Sequence, residues 1–280
     1  MIEEVASNVD KHIEANRKHW NEVAPIHTGA ISYDLPGFKA GKSSLNSVEL
    51  DELGDVKDKT LLHLQCQFGL DTLCWARDKG AVVTGIDFSE SAIDQARALA
   101  EELGIASRFL VSDVYDLPNN LDGQFDIVFT SYGVLWWLPD ITRWAQIASS
   151  FVRPGGTFYI AEFHPFAHVF DDAPDVDDLH VKYPYFNPGP PLRFDLEHAY
   201  AYAGPAVKLQ HGETYRWSHG VGEVVTALID AGLRIEFFHE YPFGLNFLPF
   251  MERVEGWLFR LTKHDGSVPL IYSIKATKPA

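Results

Sequence analysis

Residues 60–87 open with the largely apolar run TLLHL, pass through a loop ending at Gly69, continue as LDTLCWAR with helical spacing, and return to a second apolar run, AVVTGID. This order predicts strand, tight loop, short helix and strand, the repeating unit of a parallel α/β sheet. In SESAIDQARALAEELG the apolar positions Ile93, Ala96, Leu99, Ala100 and Leu103 share one helical face, and Gly104 supplies a left-handed stop. RFLVSDV predicts a third strand closing on Asp113, and QFDIVFTSYGVLWWLPD a fourth that runs into an aromatic loop. Asp140 stands where a helix cap is needed, before an inward face of Ile141, Trp144, Ala145, Ala148 and Phe151, and RPGGTFYIAEFHP follows as turn and fifth strand. Near the end, Val221, Val224, Val225, Leu228 and Ile229 form the inward face of another helix, stopped at Gly232. RIEFFHEY and PLIYSIKATKP are the remaining strands.

An acidic residue about 20 positions beyond the loop places the Asp87 carboxylate at the end of the second strand, where it can accept hydrogen bonds from both hydroxyls of a bound ribose. Dinucleotide cofactors call for three glycines in the preceding loop, because their pyrophosphate approaches the backbone closely and rests on the next helix's N-terminus. Here the loop reads His63, Leu64, Gln65, Cys66, Gln67, Phe68 and Gly69, and Asp71 occupies the start of the helix. A carboxylate at the positive end of the helix dipole opposes a pyrophosphate. The pattern therefore favours a ribose cofactor without phosphates, such as S-adenosyl-L-methionine.

The ordered set of Gly69, Asp87, Asp113, the aromatic loop and the PGG turn resembles the class I S-adenosylmethionine-dependent methyltransferases over residues 60–165. The resemblance implies a Rossmann-like, seven-stranded, mostly parallel α/β sheet with helices on both faces and an antiparallel last strand. It also implies that Gln65, Cys66, Gln67, Phe68 and Gly69 wrap the methionine end of the cofactor, that Asp87 with Phe88 holds the ribose, and that Asp113, Val114 and Tyr115 flank the adenine. Ser131, Tyr132 and Gly133 are implied at the methionine end. The family usually has acidic-x-Gly-x-Gly-x-Gly in the loop, and this chain departs from it with His63, Gln65 and Gln67, so that contact by glutamine side chains is expected. An Asn/Asp-Pro-Pro-aromatic motif for amine methylation is replaced by SYGV, which disfavours a nucleic-acid base as acceptor.

Two less regular regions flank this unit. Residues 1–59 read as an N-terminal helical arm and lid, and 60–280 as the methyltransferase domain, with 164–216 as a proline-rich, substrate-covering insertion whose strand-like alternation is in LEHAYAY and ETYRW. Folded over the carboxyl edge of the sheet, they would bring Trp20, His27, Tyr33, Trp136, Trp137, Tyr215 and Trp217 to a methyl acceptor, with Tyr241 in reserve. Each of these aromatic residues serves equally well as ordinary packing. Glu162 and His164 leave the fifth strand at the cofactor edge and are the candidate bases, His164 ahead because a free imidazole titrates near neutrality; a structural hydrogen bond to the lid is the other reading.

With 46% hydrophobic residues in 280, the chain can bury one large core. A formal charge of -16, from 23 Lys and Arg against 39 Asp and Glu, repels phosphate backbones and argues against nucleic acid as partner. Cys66 and Cys74 fit neither a zinc site nor a disulfide framework, and no metal is expected. The first residues lack a signal-peptide pattern and no apolar run approaches a membrane span, so a cytoplasmic protein acting on a small-molecule methyl acceptor is expected. An NAD-dependent oxidoreductase and a non-catalytic binding protein on the same scaffold are the alternatives.

Overall fold

A computed structural model of the chain describes residues 2–30, 33–198 and 207–280, and of residues 2–8 the backbone. Its centre is a sheet of β1 (Thr60–Leu64), β2 (Val82–Asp87), β3 (Arg108–Val111), β4 (Phe125–Ser131), β5 (Val152–Phe163), β8 (Arg234–Tyr241) and β12 (Ile271–Thr277), ordered β3-β2-β1-β4-β5-β12-β8. β12 runs antiparallel to both β5 and β8, while β1 to β5 pair in parallel. This is the seven-stranded arrangement that the resemblance implies, including the reversed last strand.

Alternation along the strands separates two apolar layers. Leu62 and Leu64 face Trp144, Ala148, Val224 and Leu228, whereas Leu61 faces Trp75, Ile93, Ala96 and Tyr159. Helices α7 (Ile141–Phe151) and α8 (Val221–Asp230) therefore cover one face, and α4 (Leu70–Arg77) and α5 (Glu90–Leu103) the other. The caps form as the sequence predicts: Ser89 accepts from Ala92 N–H at 3.1 Å, Asp140 from Arg143 N–H at 2.9 Å, and Gly104 is left-handed at φ 64°. One position on α8 departs from expectation. Ile229 is 54% exposed, because the helix seats Val224, Ala227 and Leu228 and the next residue turns about 100° away to solvent.

The N-terminal region is α1 (Ile2–His27), α2 (Leu35–Lys39) and α3 (Ser47–Leu53); α6 (Leu117–Asn120) is a single turn after β3. Phe38, Leu45, Leu53 and Val56 enter the same apolar layer as α4 and α5. In the insertion, β6 (Leu192–Asp195) pairs antiparallel with β7 (Glu213–Arg216). Of LEHAYAY, residues 199–202 lie outside the described residues, and His198 makes an isolated bridge to Lys208. α1 is bound to this insertion through polar groups. Asn16 both donates to Tyr215 O and accepts from Tyr215 N–H, each at 2.8 Å, and the Glu22 carboxylate accepts from Gln210 and His211 N–H.

The sequence reading placed no element between residues 242 and 268. There the chain forms a second small sheet, β9 (Phe243–Gly244), β10 (Met251–Glu255) and β11 (Leu258–Leu261), in the order β10-β11-β9. Leu248, Phe250 and Leu261 of this unit bury Ala167, Val169 and Phe170 at the start of the insertion.

Candidate functional site

Strand order reverses between β1 and β4, and a ligand crevice belongs at the carboxyl ends of the strands flanking that switch. A cavity of about 760 Å³ lies there, within the usual range for small-molecule sites of roughly 300 to 1,000 Å³. Gln65, Cys66 and Gln67 line it after β1, Asp87 and Phe88 after β2, Asp113, Val114 and Tyr115 after β3, and Ser131, Tyr132 and Gly133 after β4.

The Asp87 carboxylate is 7% exposed and accepts Gln67 N–H on Oδ2 and Ser89 N–H on Oδ1, both at 2.9 Å. Burial pushes its pKa up to about 6. Each oxygen keeps capacity for one further donor, which fits a pair of vicinal hydroxyls. Asp113 accepts Tyr115 N–H on Oδ1 at 2.8 Å, and the Tyr115 hydroxyl donates to Asp140 O at 3.0 Å, so the Tyr115 ring is fixed at its far end.

The loop after β1 keeps a glycine-like path with few glycines. Gln65, Gln67 and Gly69 have φ of 56°, 51° and 79°, a left-handed conformation at alternate residues that glycine ordinarily supplies. The glutamine side chains have structural work. Gln65 Oε1 accepts Trp144 Nε1–H at 3.3 Å, and Gln67 Nε2 lies 3.0 Å from both Tyr33 Oη and His27 Nδ1. Two of the expected loop contacts are displaced. Phe68 is buried against Tyr33, with ring centres 4.9 Å apart, and does not line the cavity. Gly69 does not line it either: a Cβ there would meet the Phe109 ring at 2.7 Å, so core packing and the positive φ require glycine.

Of the residues expected around the acceptor, Trp20, His27, Tyr33, Trp136, Trp137 and Trp217 line the cavity. Trp20 meets Trp137 edge-on at 5.4 Å. Tyr215 does not; it stacks on His12 at 4.0 Å on the neighbouring face of β7. Tyr241 also lies outside, its hydroxyl donating to Glu52.

The two candidate bases are otherwise engaged. Glu162 reaches the cavity wall, but its carboxylate accepts the N–H groups of Gly133, Val134, Leu135 and Phe163 and so clamps the loop after β4. His164 does not line the cavity; Nδ1 accepts Phe166 N–H and Nε2 faces Glu240 at 3.1 Å. His168 takes the place expected of it. That imidazole lines the cavity 4.1 Å from the Trp136 ring centre, and burial, reinforced by Arg216, pushes its pKa down to about 3, so it is neutral. The Arg216 guanidinium, also in the wall, lies over the rings of Phe194 and Trp136 at 4.4 and 4.5 Å. Trp257, Phe259 and Phe247 close the remote end from the 242–268 unit. The alternation and the Glu-Gly step in MERVEGWLFRL were the available signal for that hairpin.

Residues 61–156 match a family model described as a methyltransferase domain. Over 123 residues the chain is 30% identical to a ubiquinone biosynthesis O-methyltransferase of Pseudomonas paraeruginosa, covering 43% of this chain and 52% of that protein. A protein of the same name from Xanthomonas euvesicatoria is 28% identical over 158 residues, covering 55% and 65%. The chain thus spans about half the length of the first relative and somewhat under two thirds of the second. Among solved structures, an S-adenosylmethionine-dependent methyltransferase of Mesorhizobium loti superposes with a TM-score of 0.51 at 18% identity, over 86% of this chain and all of that one. A geranyl diphosphate C-methyltransferase of Streptomyces coelicolor gives 0.52 at 17%, over 82% and 76%. The fold around the domain is therefore the Rossmann-like methyltransferase fold. Among the described residues no helix is long and apolar enough to cross a membrane, and no three His, Cys, Asp or Glu side chains group as a metal site.

Proposed function

We propose that the protein is an S-adenosylmethionine-dependent methyltransferase acting on a small molecule, with cofactor and acceptor sharing the cavity at the carboxyl edge of the sheet. The observation that carries this reading is the continuity of the space: one cavity is lined both by Asp87 and Asp113 and by Trp136, Trp137, His168 and Trp257. A cofactor cradle alone would need only the first group.

Asp87 orients the ribose through both oxygens, Asp113 accepts from the adenine edge with its Oδ2, and Tyr115 packs beside the ring. S-adenosylmethionine, when bound, supplies a methyl group already activated on a sulfonium. The chain's own residues then have to align the acceptor, exclude water and take up any proton released. Trp20, His27 and Tyr33 from the arm and Trp217 from the insertion close the cavity over that region, as lid and cover. The neutral imidazole of His168 accepts a hydrogen bond from an acceptor hydroxyl and so orients it, and the nearby Arg216 charge favours an anionic oxygen on the acceptor. A net charge of -16 disfavours nucleic acid as substrate, and the absence of a membrane-crossing helix among the described residues is compatible with action in the cytoplasm.

Titration of the full chain with S-adenosylhomocysteine and, separately, NAD tests the cofactor, and release of S-adenosylhomocysteine across a panel of phenols, catechols and small carboxylic acids tests the reaction. Tight binding of NAD with none of S-adenosylhomocysteine would sink the proposal in favour of an oxidoreductase. Cofactor binding with no turnover on any compound would favour the binding-protein reading.

A further inference from the structure

The loop position that the family usually fills with an acidic residue is His63 here, and this histidine is fully enclosed. Its Nδ1 pairs with Thr72 Oγ1 at 2.7 Å, and burial pushes its pKa down to about 3. A neutral imidazole brings no charge to the amino group of a methionine moiety. Resting on the cofactor reading above, we propose that the ammonium of the cofactor's amino-acid end is bound by Asp71 at the start of α4 and Asn46 at the start of α3.

Asp71 and Asn46 both line the cavity, close to Ser44, Ser131 and Tyr132. Asp71 Oδ1 accepts the Ser44 hydroxyl at 2.5 Å, and Oδ2 accepts the Ser131 hydroxyl at 3.1 Å. What acts on this buried carboxylate is desolvation, which raises its pKa, and those two hydroxyls, which lower it. A carboxylate withdrawn from water and held by neutral donors gains most from a cation brought to it.

Asn46 supplies an independent sign of a missing donor. It is 6% exposed, and its Nδ2 is turned toward Glu49 Oε1 at 3.3 Å. That orientation leaves Oδ1 a buried acceptor with no hydrogen-bond partner among the described residues. Buried polar atoms are nearly always satisfied, and an N–H-bearing cation held by Asp71 in the cavity that both residues line would satisfy this one. Glu49, behind Asn46, accepts Asn46 N–H and the Tyr132 hydroxyl and has its pKa pushed up to about 8. It stays protonated near neutrality, which leaves Asp71 as the carboxyl that lines the cavity there. An ammonium has three donors. The Asp71 carboxylate and Asn46 Oδ1 provide the acceptors for it.

The test compares S-adenosylhomocysteine with 5′-methylthioadenosine, which keeps the adenosine and lacks the amino-acid end. Calorimetric titrations are run on the parent, Asp71→Asn and Asn46→Ser, with melting curves to confirm that each variant is folded. Asp71→Asn removes the charge and keeps one oxygen to accept a serine hydroxyl, while the other serine must turn to accept from the new NH₂. Its affinity for S-adenosylhomocysteine is expected to fall at least tenfold, with methylthioadenosine affinity changed less than twofold; Asn46→Ser should show the same selectivity with a severalfold loss. Equal losses for both ligands would overturn the proposal by showing that Asp71 shapes the whole site, and so would no loss for either. A parent protein that binds neither ligand would instead remove the cofactor reading on which the proposal rests.

Discussion

Gln67 hydrogen-bonds through its side-chain amide to the Tyr33 hydroxyl at 3.0 Å, while its backbone N–H donates to Asp87 Oδ2 at 2.9 Å. One residue thus joins the Asp87 carboxylate to the N-terminal arm. This explains why a left-handed position at φ 51° is held by glutamine at a cost of roughly 1 to 2 kcal/mol relative to glycine. The loop after β1 and the arm are tied by one side chain.

Replacing Gln67 by glycine separates the two functions. The backbone can keep its path, with strain relief of roughly 1 kcal/mol set against a similar loss to unfolded-chain entropy. The contacts to Tyr33 and His27 disappear. We expect affinity for S-adenosylhomocysteine within about threefold of the parent, but faster protease cleavage between α1 and α3. A cleavage rate unchanged from the parent would show that the amide does not hold the arm.

Glu162 gives the second prediction. Its carboxylate accepts four backbone N–H groups, and a glutamine amide in its place would turn an NH₂ toward N–H donors. Each unsatisfied buried donor costs about 1 to 3 kcal/mol. Glu162→Gln should therefore lower the melting temperature by at least about 5 °C, on a scale of roughly 2 to 4 °C per kcal/mol for chains near this size. A variant that melts normally and merely turns over slowly would restore Glu162 as a base.

The histidines give the third. His164→Ala should leave turnover within about threefold, since that ring lies outside the cavity, whereas His168→Ala should reduce it by roughly tenfold or more through lost alignment of the acceptor. The measurement is S-adenosylhomocysteine release with the best acceptor of the panel. The reverse ranking would place the base on the other side of the cavity wall.

These cases also mark what was legible in the residues. Asp87 and Asp113 could be found because each ends a strand whose apolar alternation is plain, and strand ends carry ligands in this architecture. The role of Glu162 could not, because an acid at a strand end reads equally as a base or as an acceptor for loop N–H groups, and only the path of residues 133–135 decides between them. Nor could Asn46, which stands in an irregular stretch with no periodicity, or His168, one of several histidines in a segment that the packing of residues 242–268 shapes. Gly69 is expected from the residues to wrap the methionine end of the cofactor, whereas the Phe109 ring that excludes a Cβ there lies 40 residues farther along the chain.

That ring permits a paired test. Gly69→Ala combines an unfavourable φ of 79° with a contact at 2.7 Å and should destabilise by roughly 2 kcal/mol or more. Phe109→Leu clears part of the contact but not the backbone penalty. The double variant should then be less destabilised than the sum of the singles, as denaturant melts would record. Simple additivity would show that Phe109 is not what the new methyl meets.

The last prediction concerns pH. Burial, with the Asp71 charge adding to it, raises the Glu49 pKa from an ordinary 4.5 to about 8. Below about pH 4.5 this carboxyl is neutral in both the folded and the unfolded chain and contributes no difference. Above that value the unfolded chain ionises first, so the stability carried by the neutral group is lost progressively as pH rises toward 8. Glu49→Gln cannot ionise, and its amide can still pair with Tyr132, whose hydroxyl can exchange donor and acceptor roles. The variant should therefore match the parent near pH 4.5 and exceed it by an amount growing to the order of a few kcal/mol at pH 8. Denaturant melts of both proteins at pH 5, 6.5 and 8 measure the gap directly, in the absence of cofactor. A gap that stays constant with pH would mean that Glu49 is already ionised in the fold, and that the negative charge beside Asn46 is shared between two carboxylates rather than held by Asp71.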